Sequence, residues 1–90
     1  MEHVVIKNIM RVKKATLKRE EISKRFILTT ENIAFNTRYI THIPIEISDE
    51  EWGDLKKTKS LTYRDAKSTP LLHKIKWQAV KYLKETNKIQ

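Results

Sequence analysis

The clearest alternation of hydrophobic and polar residues lies in the middle of the chain. In the segment 33–41, IAFNTRYIT, odd-numbered and even-numbered side chains would point to opposite faces of a strand. The segment RFILTT precedes it, and Asn32, between the two, tolerates the left-handed backbone that a tight turn needs. This pattern predicts a β-hairpin whose reversal lies at Glu31-Asn32.

A further strand is predicted just after this hairpin. Ile43, Ile45 and Ile47 alternate with other residue types, one of which is Pro44. Because proline cannot donate a ladder hydrogen bond, we expect this strand at the edge of a sheet.

The N-terminal third gives a less regular pattern. Residues 4–12, VVIKNIMRV, are rich in β-branched side chains but alternate imperfectly, which favours a strand buried on both faces. A helix is the alternative, because Val5, Ile9 and Val12 have helical spacing. Residues 16–24, TLKREEISK, are good helix formers and favour a short helix, with a long hairpin arm as the alternative.

Two helices follow in the second half of the chain. Ser48 and Glu51 have the spacing of a capping box, which predicts a helix that begins at Asp49. Thr69 followed by Pro70 has the form of an N-cap with proline at the first helical position. The final helix is expected to run from about Pro70 to Asn87.

These elements predict an α+β fold. We expect a small antiparallel sheet of three to four strands packed against a long C-terminal helix, with one or two short helices. Ninety residues suit one hydrophobic core, so the sequence predicts a single compact domain over residues 1–90.

Composition narrows the classes of function. The chain has no cysteine, so we expect no disulfide and a cytoplasmic protein, and it has no apolar run long enough for membrane insertion. A single glycine is too few for a glycine-rich phosphate-binding loop, and the three histidines lack the spacing of metal ligands. We therefore expect no enzyme, no cofactor and no metal site. A metal-free ribonuclease is a minor alternative, with candidate residues Arg38, Tyr39, His42 and Tyr63.

The final helix carries the main functional signal. At about 100° per residue, its apolar side chains form one stripe, which we expect to pack on the sheet. The opposite side holds one tryptophan and four lysines: Lys74, Trp77, Lys81, Lys84 and Lys88. Like charges at helical spacing repel one another, so this arrangement does not stabilise the isolated helix. It indicates an external polyanionic partner instead.

Charge is also unevenly distributed along the chain. The net charge is +8, from 19 basic and 11 acidic residues. Residues 1–30 hold eight basic and three acidic groups, whereas residues 31–60 hold four and six. If the N-terminal basic segment lies beside the final helix, the two form one positive field. From this segment we select Lys13, Lys14, Lys18 and Arg19 as candidate nucleic-acid-binding residues.

The sequence therefore predicts a small basic protein that binds the backbone of RNA or DNA with little sequence preference. Its interface would combine the lysine and tryptophan face of the final helix with the N-terminal basic segment. The alternative is a protein-interaction module, such as an inhibitor, an antitoxin-like protein or a viral host-takeover factor, that binds an acidic protein. A homodimer formed through the sheet edge at 43–47 is compatible with both.

Overall fold

The computed structural model describes residues 2–58, 60–63 and 69–86, and these form the expected α+β fold. Five strands and two helices follow one another as β1 (His3–Lys7), β2 (Lys14–Arg19), β3 (Phe26–Ala34), β4 (Thr37–Ile45), α1 (Asp49–Lys56), β5 (Ser60–Thr62) and α2 (Thr69–Glu85). The strand order is β4-β3-β2-β1-β5, and β5 pairs with β1 in parallel. The sheet is thus mixed and five-stranded, because the connection before α2 contains a three-residue strand too short to give a pattern.

The N-terminal third forms two strands. The preference for a helix over residues 16–24 is wrong, and the hairpin-arm alternative is the one observed. β2 lies between β1 and β3, where Leu17 pairs with Val4 on one side and Leu28 on the other. Ladder bonds on both edges and full burial of Leu17 outweigh the helix propensity of the charged residues.

The β3–β4 hairpin reverses later than the sequence suggested. Its turn lies at Phe35 and Asn36, whose φ angles are 51° and 59°, as a two-residue type I′ turn requires. Asn32 lies within the ladder, opposite Tyr39. The core fixes this register, because it sets buried Leu28 opposite buried Ile43, and the reversal must then fall beyond Asn32.

Pro44 lies in the edge strand, as predicted. β4 is the terminal strand of the sheet, and it continues through Pro44, which is opposite Ile27. β4 therefore joins residues 37–41 of the predicted second hairpin strand to residues 43–45 of the predicted edge strand, whereas residues 33–34 belong to β3 and Ile47 lies outside the strand.

Both predicted helices are present. Ser48 caps α1 in the predicted box: its Oγ accepts from the Glu51 N–H at 3.0 Å, and its own N–H donates to Glu51 Oε1 at 2.9 Å. α2 spans Thr69–Glu85. The predicted cap by the Thr69 side chain and the predicted end at Asn87 lie outside the part of the chain that is described.

The helices share a core with one face of the sheet. Buried residues of this core include Leu17, Leu28 and Ile43 from the strands and Leu72 and Ile75 from α2. Side chains alternate along each strand, so those at the intervening positions point to the opposite face. We call that opposite face, which carries Lys14, Thr16, Lys18, Thr29 and His42, the open sheet face.

Candidate functional site

α2 turns its apolar stripe inward, as its spacing predicts. Leu72, Ile75 and Ala79 are fully buried against the sheet, whereas Trp77 on the far side is 67% exposed. We call the solvent-facing side with Trp77, Lys81 and Lys84 the outer face of α2. A large aromatic ring exposed beside lysines is suited to a partner with stacking surfaces and negative charge.

Lys81 and Lys84 are little neutralised by carboxylates of the described residues, so their charges are available to a partner. Lys81 Nζ lies 4.0 Å from Glu85 Oε1, and both side chains are highly exposed, so this ion pair contributes little. Among the described residues, no carboxylate forms an ion pair with Lys84. Lys88, also predicted for this face, lies outside the described residues.

Lys74 differs from the other lysines of the predicted face. Its Nζ donates to Glu51 Oε1 at 2.9 Å and so links α2 to the first turn of α1. The Ser48 N–H and, secondarily, Lys74 hold the pKa of the Glu51 carboxyl below its ordinary value of 4.5, so this partner stays ionised at neutral pH. Lys74 is therefore largely neutralised within the protein.

The loop between β1 and β2 brings one N-terminal cation to α2. Arg11 and Lys76 line a single cleft together with Asn8, Ile9, Met10, Val12 and Val80. The loop folds toward the helix because Ile9 is buried in the core, and Met10 and Val12 pack against it. Arg11 thus lies beside the final helix, as supposed for the basic N-terminal segment, whereas its proximity to Lys76 was not predicted. The apolar residues of 9–12 are the signal for a loop packed on the core.

The other N-terminal cations do not join α2. Lys14 and Lys18 lie on the open sheet face, separated from α2 by the sheet itself. Lys13 precedes β2 and lines a cleft there with Lys7 and Lys14. The expectation that the N-terminal segment and the final helix form one continuous field is thus wrong for these residues.

Arg19 has a structural environment. Its Nη2 lies 3.0 Å from Asp49 Oδ1, and its guanidinium lies 5.5 Å from the ring centroid of Phe26. The side chain is 26% exposed. It connects β2 to the start of α1, where a carboxylate also favours the positive end of the helix dipole.

The candidate residues for ribonuclease chemistry are dispersed. Arg38 pairs with Glu31, and His42 Nδ1 lies 3.2 Å from Thr29 Oγ1, both on the open sheet face. Tyr63 is elsewhere, with its hydroxyl 2.7 Å from His73 Nδ1 beside the start of α2. No common site for an acid, a base and a phosphate therefore forms among these four candidates within the described residues.

Within residues 2–58, 60–63 and 69–86, no helix is long and apolar enough to cross a membrane. The same residues contain no group of three or more His, Cys, Asp or Glu side chains placed to hold a metal ion. Comparison with protein-family models, curated proteins and solved structures gives no match.

Proposed function

We propose that the protein binds nucleic acid through the outer face of α2, without catalysis. The observation that carries this proposal is the 67% exposure of Trp77 on a helix face that also carries Lys81, one turn away, and Lys84, two turns away. An indole can stack on an unpaired base for about 1–3 kcal/mol, and the neighbouring ammonium groups neutralise phosphates.

Arg11 and Lys76 extend this surface along one flank of the helix. Lysine contacts to phosphates carry no sequence information, and stacking accepts every base. We therefore propose sequence-tolerant binding with a preference for single strands, in RNA or DNA.

Tryptophan fluorescence tests the proposal directly, because the two indoles differ in environment. Trp52 is 1% exposed and packs against Phe26, so an added oligonucleotide quenches Trp77 selectively. We expect quenching by single-stranded oligonucleotides and a loss of affinity of roughly 5- to 150-fold in Trp77→Ala, the equivalent of about 1–3 kcal/mol of stacking. Trp77→Phe is expected to retain part of the affinity.

Two lysines provide a matched pair of variants for locating the interface. Lys84→Gln removes a cation from the outer face of α2, whereas Lys18→Gln removes one from the open sheet face. We expect weaker binding and a shallower salt dependence in Lys84→Gln, by about 0.7 in the slope of log K against log[salt] for a single strand, and little change in Lys18→Gln. An equal loss in both variants, or binding that is insensitive to salt, would refute the proposed interface.

An acidic protein partner predicts a different pattern. A protein interface concentrates its binding energy in a few anchors, so Trp77→Ala would cost much and single lysine changes little. Phosphate binding predicts modest and similar losses at Lys81 and Lys84. Absence of oligonucleotide binding at low salt would remove nucleic acid as the partner and leave this alternative.

A further inference from the structure

The edge strand β4 offers unpaired backbone along most of its length. It is the outermost strand of the sheet and pairs with β3 on its inner side. On the other edge of the sheet, β5 has three residues, whereas β4 has nine. A long edge strand is a template for pairing with another chain, and proteins normally protect such edges with proline or charged residues.

The register identifies which groups point outward. A two-residue turn makes Ala34 and Thr37 a hydrogen-bonded pair, so odd-numbered residues of β4 bond to β3 and even-numbered residues direct their N–H and C=O groups to the free edge. Pro44 agrees with this parity, because its missing N–H falls on the outward side. Arg38, Ile40 and His42 are thus left with outward N–H and C=O groups.

Exposed apolar side chains accompany these groups. Phe35, Tyr39 and Ile40 are between 49% and 98% exposed, and all lie on β4 or in the turn that precedes it. Phe35 is 98% exposed at the turn although its φ of 51° is unfavourable for an aromatic residue. Pro44 protects only the C-terminal end of this edge, and the rest, with apolar groups on both faces, is suited to being covered by another strand.

We propose that a second copy of this chain covers this edge, with the two β4 strands antiparallel. Pairing Ile40 with Ile40 of the second copy sets Arg38 opposite His42, and this register engages all the outward groups of the three residues. Phe35 then lies opposite Ile45 of the second copy, next to exposed Pro44. The contact is self-complementary, because the turn of each copy reaches the proline end of the other.

The charge distribution favours a second copy of this chain at the edge over a polyanionic or acidic partner. Within residues 31–45 the two charged side chains, Glu31 and Arg38, pair with each other, so the edge is neutral in a chain of net charge +8. Nucleic acids and acidic proteins are attracted to the lysine surfaces instead. At the neutral edge, two copies approach with the least repulsion.

The pairing has a geometric consequence. Opposite residues of an antiparallel pair point to the same face, so the two sheets join into one and both α2 helices lie on the same side. The outer faces of α2 are thereby presented together. The inference does not rest on nucleic-acid binding, and it is tested in the absence of nucleic acid.

Sedimentation analysis of nuclease-treated protein at high salt, over a range of concentrations, measures this association. Ile40 and Ile33 provide matched variants, because they are 49% and 48% exposed on the same sheet face, but Ile33 lies on β3, away from the edge. We expect a reversible dimer of the wild type. In Ile40→Lys the dissociation constant is expected to rise at least about tenfold, since like charges meet at the symmetry axis, whereas Ile33→Lys remains within about twofold.

Amide hydrogen exchange gives a second measurement that needs no variant. In the dimer, the N–H groups of Arg38, Ile40 and His42 are expected to exchange more slowly as protein concentration rises. Circular dichroism is the control that Ile40→Lys remains folded. The proposal is overturned if the wild type stays monomeric at all concentrations, if both lysine variants weaken association equally, or if these three amides show no concentration dependence.

Discussion

Replacing Phe35 with asparagine is expected to stabilise the monomer. Phe35 adopts a φ of 51°, and left-handed backbone costs a residue with a bulky side chain roughly 1–2 kcal/mol, whereas asparagine tolerates it. The side chain is 98% exposed, so its removal sacrifices almost no burial within one copy. The expected gain is about 1 kcal/mol in the free energy of unfolding, or roughly 4–8 °C in Tm for a domain of this size.

Thermal denaturation followed by circular dichroism measures this gain, and it is best carried out in the Ile40→Lys background so that association does not contribute. Ile22→Asn is the matched control. Ile22 is 99% exposed in a turn but lacks a positive φ, so its replacement removes a similar exposed apolar group without relieving strain. We expect a change in Tm near zero for this control.

A decrease in Tm for Phe35→Asn would contradict the reasoning, because it would mean that Phe35 makes stabilising contacts within one copy. An equal increase in both variants would attribute the gain to the loss of exposed apolar surface rather than to the backbone. In the wild-type background, Phe35→Asn is expected to weaken dimerisation while it stabilises the monomer. Opposite effects on folding and association are typical of a strained residue retained for function.

Two further predictions concern the start of α1. Ser48→Ala removes the hydroxyl that accepts from the Glu51 N–H, and it is expected to cost about 1 kcal/mol, measured by urea denaturation; an unchanged midpoint would mean that the cap contributes nothing. The pKa of Glu51 is lowered by the Ser48 N–H and then by Lys74. The stability that the Glu51 carboxylate contributes to the fold is therefore fully present above about pH 4.5 and is lost as pH falls through the lowered native pKa. Glu51→Gln is expected to reduce this acid dependence of Tm, and an identical pH profile in wild type and variant would show that the carboxylate does not contribute.

The helices could be predicted from the sequence because their signals are local. The Ser48–Glu51 box is four residues long, and the inward stripe of α2 depends only on helical spacing. The hairpin reversal could not be placed, since it depends on which residues of β3 and β4 become buried opposite each other. Asn32 is a good turn residue by local chemistry, yet the two left-handed positions are occupied by Phe35 and Asn36.

The candidate site shows the same division between local and long-range information. The exposure of Trp77 followed from the helix alone, whereas the pairing of Lys74 required the approach of α1. Arg11 lies beside α2 because buried Ile9 anchors its loop on the core. A helical wheel of α2 cannot predict this contact, since the loop is distant in sequence.

Parity along β2 separates the remaining N-terminal cations. Lys18 and Arg19 are adjacent in sequence, but alternation along the strand sends Lys18 to the open sheet face and Arg19 toward α1. A stretch of basic residues that crosses the centre of a sheet is therefore divided between its two sides. Net charge then indicates the kind of partner, while the strand register decides which cations can reach that partner together.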